Sequence, residues 1–189
     1  MSRILFCNIS YLPHYNTRLD KVAPKNGGAY VAKMQDAFEK HNFEECNDGC
    51  YRGFVETKYH YGYETGIPSN TFNSLHIEKI DPIAKRWESL NDVLVVFCAK
   101  PENGHTVIVG WYKNATVYRH RPSYNGRAYN IQAKIKDCYL LPENKRTFSV
   151  PRAKRDGIGF GQSNVWYAST PDCAEYVNKV VNYINSRSL

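Results

Sequence analysis

The stretch that decides the fold runs from residue 93 to residue 119 and reads VLVVFCAK, PENGH, TVIVGWYKNATVYR. Two apolar runs flank a Pro-Glu-Asn-Gly turn, a pattern that is typical of a β-hairpin. Asn114 then predicts a second turn, after which another strand begins at Ala115. The hairpin ends in Trp111-Tyr112-Lys113-Asn114, side chains that stack and hydrogen-bond well. This cluster is the first candidate for a functional site.

Outside the hairpin, short apolar runs predict strands at 3–9, 51–58 and 128–141. Helical spacing predicts a helix over 29–41, another over 81–89, and a third that begins at Thr170. Trp87 on the second helix is expected to anchor the core. Many strands in hairpins, with helices at the margins, predict one α+β domain over 1–189, built on a curved or closed antiparallel β-barrel with peripheral helices.

Charge is concentrated in one part of the chain. The net charge is +7 over 189 residues, and the segment 113–155 contains eleven lysines and arginines against two acids. Such a segment favours a polyanionic partner, interleaved as it is with tyrosines, although an ordinary solvated face has the same composition. The chain has no apolar run of membrane-spanning length and no apolar leader at its start, so we expect a cytoplasmic protein without a membrane partner.

Sequence motifs for catalysis, metals and cofactors are weak. Cys46 and Cys50 lack a second pair at zinc spacing. The glycine-rich 157–161 is followed by a strand pattern rather than a helix, and it lacks the lysine of a phosphate loop. No histidine belongs to a nucleophile or metalloprotease motif. We therefore expect no cofactor, no metal and no catalytic residue, and a binding surface remains.

That surface divides into two sets of side chains. Aromatic rings and amides suit a nucleobase that is stacked and bonded at its edge, whereas cations suit phosphates. For any one aromatic residue, a place in the core is the alternative. The predicted base pocket comprises Trp111, Tyr112, Asn114, Gln162, Ser163, Asn164 and Trp166. The predicted phosphate contacts are Lys113, Arg119, Arg121, Arg152, Lys154 and Arg155.

Several phrases of the sequence also resemble a known family: ILFCNIS, GGAYV, YRGFVETK, VVFCAK, VIVGWYKNATVYR, CYLLPENKRTFSVPRA and GFGQSNVWY. Over roughly 1–168 the chain resembles the N-terminal domain of bacterial restriction-endonuclease-like proteins, which is often fused to a nuclease or an ATPase. Its strand order is also similar to the PUA-like group of small barrels (EVE, YTH, ASCH and SRA domains), which hold modified bases in aromatic pockets. This resemblance implies a reader module in a modification-dependent defence system.

The expected function is therefore recognition of a modified base in double-stranded DNA, by flipping the base into the aromatic pocket, with a nuclease or ATPase as effector. RNA binding through the same pocket is the alternative. A metal-dependent nuclease centred on Glu56 and Lys58, and a protein-binding scaffold, are the remaining hypotheses.

Overall fold

The computed structural model describes residues 3–26, 37–57 and 74–187. Its strands are β1 (Ile4–Ile9), β2 (Cys50–Gly53), β3 (Ser89–Ala99), β4 (Val107–Tyr118), β5 (Ser123–Tyr124), β6 (Arg127–Ala128), β7 (Ile131–Lys134), β8 (Cys138–Leu140) and β9 (Val165–Trp166). Two α-helices are described, the single turn α1 (Ala153–Asp156) and the longer α2 (Ala174–Asn185). Short 3₁₀ helices occupy Phe38–His41, Ile77–Lys79, Pro82–Arg86, Ile135–Asp137, Glu143–Lys145 and Pro171–Cys173.

Seven strands form one sheet in the order β2-β7-β4-β3-β1-β9, and β8 pairs with β4 beside β7. The predicted hairpin is confirmed: β3 and β4 pair antiparallel along their length and form the centre of the sheet. The first strand lies on the far side of β3 and runs parallel to it, with Ile4 opposite Leu94. The last strand, β9, closes that side by pairing antiparallel with β1.

The core lies on both faces of this sheet. Alternate residues of β1, β3 and β4 point to opposite faces, as the two-residue period of a strand requires. One face packs under α2, whose side chains Val177, Val180 and Ile184 are buried there. The other face is covered by loop and 3₁₀ residues such as Leu12 and Leu75. Burial on both faces explains why these strands read as continuous apolar runs rather than as alternating ones.

The predicted antiparallel barrel is wrong. The sheet is mixed, because β1 is parallel to β3, and it is open, because its outer strands β2 and β9 are not paired with each other among the described residues. Hairpin signals reveal neighbours that are close in the chain. They do not reveal that residues 4–9 insert between two segments that lie much later in the sequence. A sheet that is covered on both faces has no need to close on itself to bury its apolar residues.

Several local predictions have mixed outcomes. The C-terminal helix is confirmed, and it is preceded by the Pro171–Cys173 turn. Asn114 does not end a strand: it has a φ of 49° inside β4, at an irregularity in the pairing with β3. The predicted helix over 81–89 is a 3₁₀ helix, and Trp87 after it is 43% exposed rather than a core anchor. Of the helix predicted over 29–41, residues 29–36 lie outside the described residues, and Phe38–His41 is a 3₁₀ helix.

Candidate anion-binding cleft

The two aromatic residues at the centre of the predicted base pocket lie in the core. Trp111 is 1% exposed and stacks on Tyr139, with ring centroids 5.0 Å apart. Tyr112 is fully buried on the opposite face of the sheet, where its hydroxyl donates to the Asn42 carbonyl. Successive residues of a strand point to opposite faces, so these two rings cannot line one pocket. The structure therefore buries Trp111 and Tyr112 on opposite faces of the sheet and does not bring them together in one pocket.

The opposing wall of that pocket lies elsewhere in the sheet. Trp166 on β9 stacks on Phe6 of β1, with ring centroids 4.6 Å apart. Three strand spacings, from β4 through β3 and β1 to β9, separate the backbones of Trp111 and Trp166, which corresponds to about 14 Å. The structure therefore does not bring the Trp111 and Trp166 segments together.

The polar residues assigned to the base pocket are equally dispersed. Asn114 lies at the surface, where its amide donates to Asp137 Oδ1 at 3.2 Å. Gln162, Ser163 and Asn164 form the loop that leads into β9. The Ser163 hydroxyl accepts from the backbone of Val165, and the Asn164 carbonyl accepts from Asn8. These loop contacts hold β9 on the sheet, and they do not converge with Asn114.

Arg119, one of the predicted phosphate contacts, has a structural role instead. It pairs with Glu78 at 2.7 Å and also donates to the carbonyls of Trp87 and Ala84, each at 2.8 Å. These bonds tie the end of β4 to the two 3₁₀ helices that precede β3. An arginine whose donors are bonded in this way has little capacity left for a phosphate.

Arg121 and Lys113 likewise hold parts of the protein together. The Arg121 guanidinium donates to the carboxylate of Glu56 at 2.7 Å and to the Thr57 hydroxyl at 2.9 Å. The Lys113 ammonium donates to the Asn185 side chain at the end of α2, at 3.3 Å.

The other three predicted phosphate contacts, Arg152, Lys154 and Arg155, come from one short segment, residues 152–155. Arg152 and Arg155 line a cleft of about 360 Å³ beside the turn that joins β3 to β4, and Lys154 lies between them in sequence. Lys100 and His105, at the two ends of that turn, complete the charged lining. Gly104, Thr106 and Val150 form the remainder of the surface. Among the described residues, none that lines this cleft is acidic.

Local structure fixes the side chains of the cleft. Arg152 donates to the Thr106 hydroxyl at 3.0 Å and lies 5.6 Å from the centroid of the Phe160 ring. The turn α1 that follows ends at Gly157, whose φ of 77° suits glycine. Two residues later, Gly159 has a φ of 105°, and a Cβ there would lie 2.0 Å from the Pro151 carbonyl oxygen. Glycine at positions 157 and 159 is therefore required by the local backbone conformation.

One carboxylate moderates the charge of this region. Nε and Nη2 of Arg155 each donate to the Asp156 carboxylate at 2.8 Å, and the pair lies at the surface. The Arg155 guanidinium, together with the Arg152 backbone N–H, lowers the pKa of Asp156 to about 2. Asp156 is therefore ionised at neutral pH and offsets part of the Arg155 charge. Lys100, Arg152 and Lys154 remain as the main source of positive potential around the cleft.

Sequence reasoning missed Lys100 and His105. Both flank the Pro-Glu-Asn-Gly turn, and a hairpin necessarily brings the two ends of its turn together. The correctly predicted hairpin thus contained the signal for this part of the cleft. Their partner, Arg152, comes from a segment about fifty residues later, and its isolated bridge to Phe160 is a contact that local patterns do not reveal.

The structure offers no support for the nuclease alternative. The Glu56 carboxylate is paired with Arg121, and Lys58 lies outside the described residues. Within 3–26, 37–57 and 74–187, no group of three histidine, cysteine or acidic side chains is arranged to hold a metal ion. Over the same residues, no helix has both the length and the apolar character needed to cross a bilayer.

Comparison of the chain with protein families, with curated proteins and with solved structures finds no match. The interpretation of the cleft therefore rests on its residues and their geometry.

Proposed function

We propose that the protein binds nucleic acid and that the cleft formed by Lys100, His105 and Arg152, with Lys154 and Arg155 beside it, receives the phosphate backbone. The observation that carries this proposal is the convergence of cations from two distant segments on one acid-free cleft. Lysine and arginine side chains that neutralise phosphates supply most of the affinity of a nucleic-acid-binding protein. The Arg152 guanidinium is already oriented by Thr106, so little ordering is required when a phosphate binds.

Double-stranded DNA is the partner that we favour. The resemblance to N-terminal domains of restriction-endonuclease-like proteins supports DNA over RNA, and it supports a nuclease or ATPase as the effector. Selection of a modified base is part of the same proposal. It requires a pocket other than the Trp111–Trp166 pair, because Trp111 is buried and the two residues lie three strand spacings apart.

The salt dependence of DNA binding tests the cleft. Three cations that each neutralise a phosphate (Lys100, Arg152 and Lys154, since Arg155 is paired with Asp156) predict a slope of log K against log salt of about −2.7. Affinity should then fall about 40-fold between 50 and 200 mM salt, which fluorescence anisotropy of a labelled duplex measures directly. A double variant, Lys100→Gln with Lys154→Gln, should weaken binding for every duplex sequence and reduce the slope by about 1.8.

The matched control removes two positive charges elsewhere. Lys85 and Lys179 are exposed and do not line the cleft, so Lys85→Gln with Lys179→Gln should leave the slope close to that of the wild type. Equal losses in the two double variants would contradict the cleft assignment, since overall charge alone would then explain binding. Displacement of the DNA by an RNA duplex of the same sequence at equal concentration would favour the RNA alternative. A panel of duplexes with modified bases tests base selection.

A further inference from the structure

A second cleft, of about 490 Å³, lies at the β2 end of the sheet, far in the strand order from the basic cleft. It is bounded by the Phe38–His41 turn, by residues 44–47 and by the β5–β6 hairpin. Its volume is within the range of small-molecule sites. Its lining combines aromatic rings, amides, carboxylates and cations: Phe38, Lys40, His41, Glu44, Glu45, Cys46, Asn47, Tyr124, Asn125 and Arg127, with Ala37 and Gly126.

The first aromatic wall is an exposed ring with structural support behind it. Phe38 is 49% exposed, which is unusual for a phenylalanine. It packs on Phe54, with ring centroids 5.3 Å apart, and the Arg121 guanidinium lies 4.8 Å from the Phe54 ring. The contact with Phe54 positions the Phe38 ring while part of its surface faces solvent. This flat apolar surface has no other described partner in the cleft.

The second aromatic wall is supported by a buried charge. The Arg52 guanidinium lies 3.7 Å from the centroid of the Tyr124 ring, and only 6% of the Arg52 side chain is exposed. Asp48 accepts from both terminal nitrogens of Arg52, while the buried Nε of Arg52 has no hydrogen-bond partner. Removing an arginine from water in this way carries a desolvation cost. The arrangement holds the ring of a two-residue surface strand in one orientation at the cleft wall.

Directional polar groups lie between these walls. His41 Nδ1 lies 2.8 Å from Glu44 Oε2, and Glu44 also accepts from the Thr17 hydroxyl. Burial lowers the pKa of His41, so its ring is neutral at pH 7. A carboxylate can only accept, so Nδ1 carries the proton and Nε2 is left as an acceptor. The amides of Asn47 and Asn125 add donors and acceptors at the rim.

Positive charge lies at one side of the cleft. The Arg127 guanidinium donates to Cys46 Sγ at 3.6 Å, and sulfur is a weak acceptor. A phosphate oxygen would bind this fork more strongly than the thiol does. Lys40 lines the same cleft and adds a second cation.

From these contacts we infer that the second cleft binds a nucleotide unit, that is, a base joined through its sugar to a phosphate. The base packs against Phe38 and Tyr124, its edge bonds to His41 and the rim amides, and the phosphate binds Arg127. Rings alone would suit any planar apolar ligand, and cations alone would suit any anion. Their combination with directional groups is specific to a ligand that has a flat polar ring and a phosphate. This inference does not depend on the basic cleft.

Isothermal titration with AMP, GMP, CMP and UMP tests the inference, with adenosine and inorganic phosphate as partial ligands. At least one mononucleotide should bind more tightly than either partial ligand. Phe38→Ala should weaken that nucleotide about 5- to 150-fold, the range found when a stacking ring is removed. Arg127→Gln should abolish the preference for AMP over adenosine and leave adenosine binding unchanged. Lys85→Gln, at an exposed lysine that lines neither cleft, is the matched control and should have no effect.

Two results would overturn the inference: no heat with any mononucleotide at millimolar concentration, or equal affinities for wild type and Phe38→Ala. Each variant is compared only if its melting temperature equals that of the wild type, which excludes loss of fold. Tyr124→Phe supplies a second variant, which keeps the aromatic ring. The nucleotide unit could be a residue of a nucleic acid or a free nucleotide, and a labelled single-stranded oligonucleotide distinguishes these two ligands. Competition by the mononucleotide supports a residue of a nucleic acid as the ligand, whereas simultaneous binding supports a free nucleotide. If Lys100→Gln lowers DNA affinity but no mononucleotide binds, the second cleft fails and the proposed function stands.

Discussion

Replacing Trp111 by alanine distinguishes a core residue from a base-stacking residue. Trp111 is 1% exposed, stacks on Tyr139 and meets Tyr183 edge-on at 6.4 Å. Truncation of a buried tryptophan costs about 3–5 kcal/mol, because the apolar contacts are lost and a cavity remains. Since a folded domain is stable by only about 5–15 kcal/mol, the variant should lose about a fifth or more of its stability. The surviving folded fraction should bind DNA with the affinity of the wild type.

Urea denaturation followed by circular dichroism measures this loss. With an m-value of about 2.5 kcal/mol/M, a loss of about 4 kcal/mol lowers the midpoint by about 1.6 M. Trp87→Ala makes the same chemical change at a side chain that is 43% exposed, and it should shift the midpoint by less than about 0.4 M. Equal midpoints for the two variants would refute the placement of Trp111 in the core. Loss of DNA binding by folded Trp111→Ala would refute the placement of the site in the basic cleft.

Three further outcomes follow from the structure. Arg119→Met should destabilise the protein by about 2 kcal/mol, because Glu78 and the carbonyls of Trp87 and Ala84 lose their donor. It should leave the salt slope of DNA binding unchanged, and a changed slope in anisotropy would contradict the structural role of Arg119. Gly159→Ala should lower the free energy of unfolding by about 1–3 kcal/mol, because Gly159 has a φ of 105° and lies against the Pro151 carbonyl. Gly161→Ala is the control: a Cβ there would meet open space, so its effect in thermal or urea unfolding should be close to neutral. The pKa of His41 is lowered in the folded state, so the unfolded chain takes up a proton first as the pH falls below about 6.5. The free energy of unfolding should therefore decrease from pH 7 towards pH 5. His41→Gln should make that decrease shallower, which urea titrations at each pH measure.

The parts of the fold that the sequence predicts are those with local signals. The β3–β4 hairpin is encoded by two apolar runs around one turn, and α2 by apolar spacing after a proline. The insertion of β1 between β3 and β9 is a non-local event, since Phe6 is paired with residues about 90 and 160 positions away. The barrel prediction failed because it rested on hairpins between strands that are neighbours in sequence, and such hairpins do not include the parallel pairing of β1 with β3.

The site was predictable only in its cations. Arg152, Lys154 and Arg155 stand together in the sequence and remain together in space. Trp111 and Tyr112 are also adjacent, but strand geometry sends them to opposite faces, and that conflict was already visible once a strand had been predicted there. The aromatic walls of the second cleft were not predicted, because Phe38 was part of the helix predicted over 29–41 and Tyr124 comes from a loop with little regular pattern.

The position of β1 has a consequence for how the protein is made. Residues 4–9 leave the ribosome before both strands that flank them: one flank is covered only when residues 89–99 have emerged, and the other only after residue 166. Until then the nascent chain carries an apolar strand with both hydrogen-bonding edges unpaired, which is the kind of segment that associates with other chains. Production of this protein should therefore be sensitive to chaperone supply, and shortened versions that lack β9 should accumulate in the insoluble fraction.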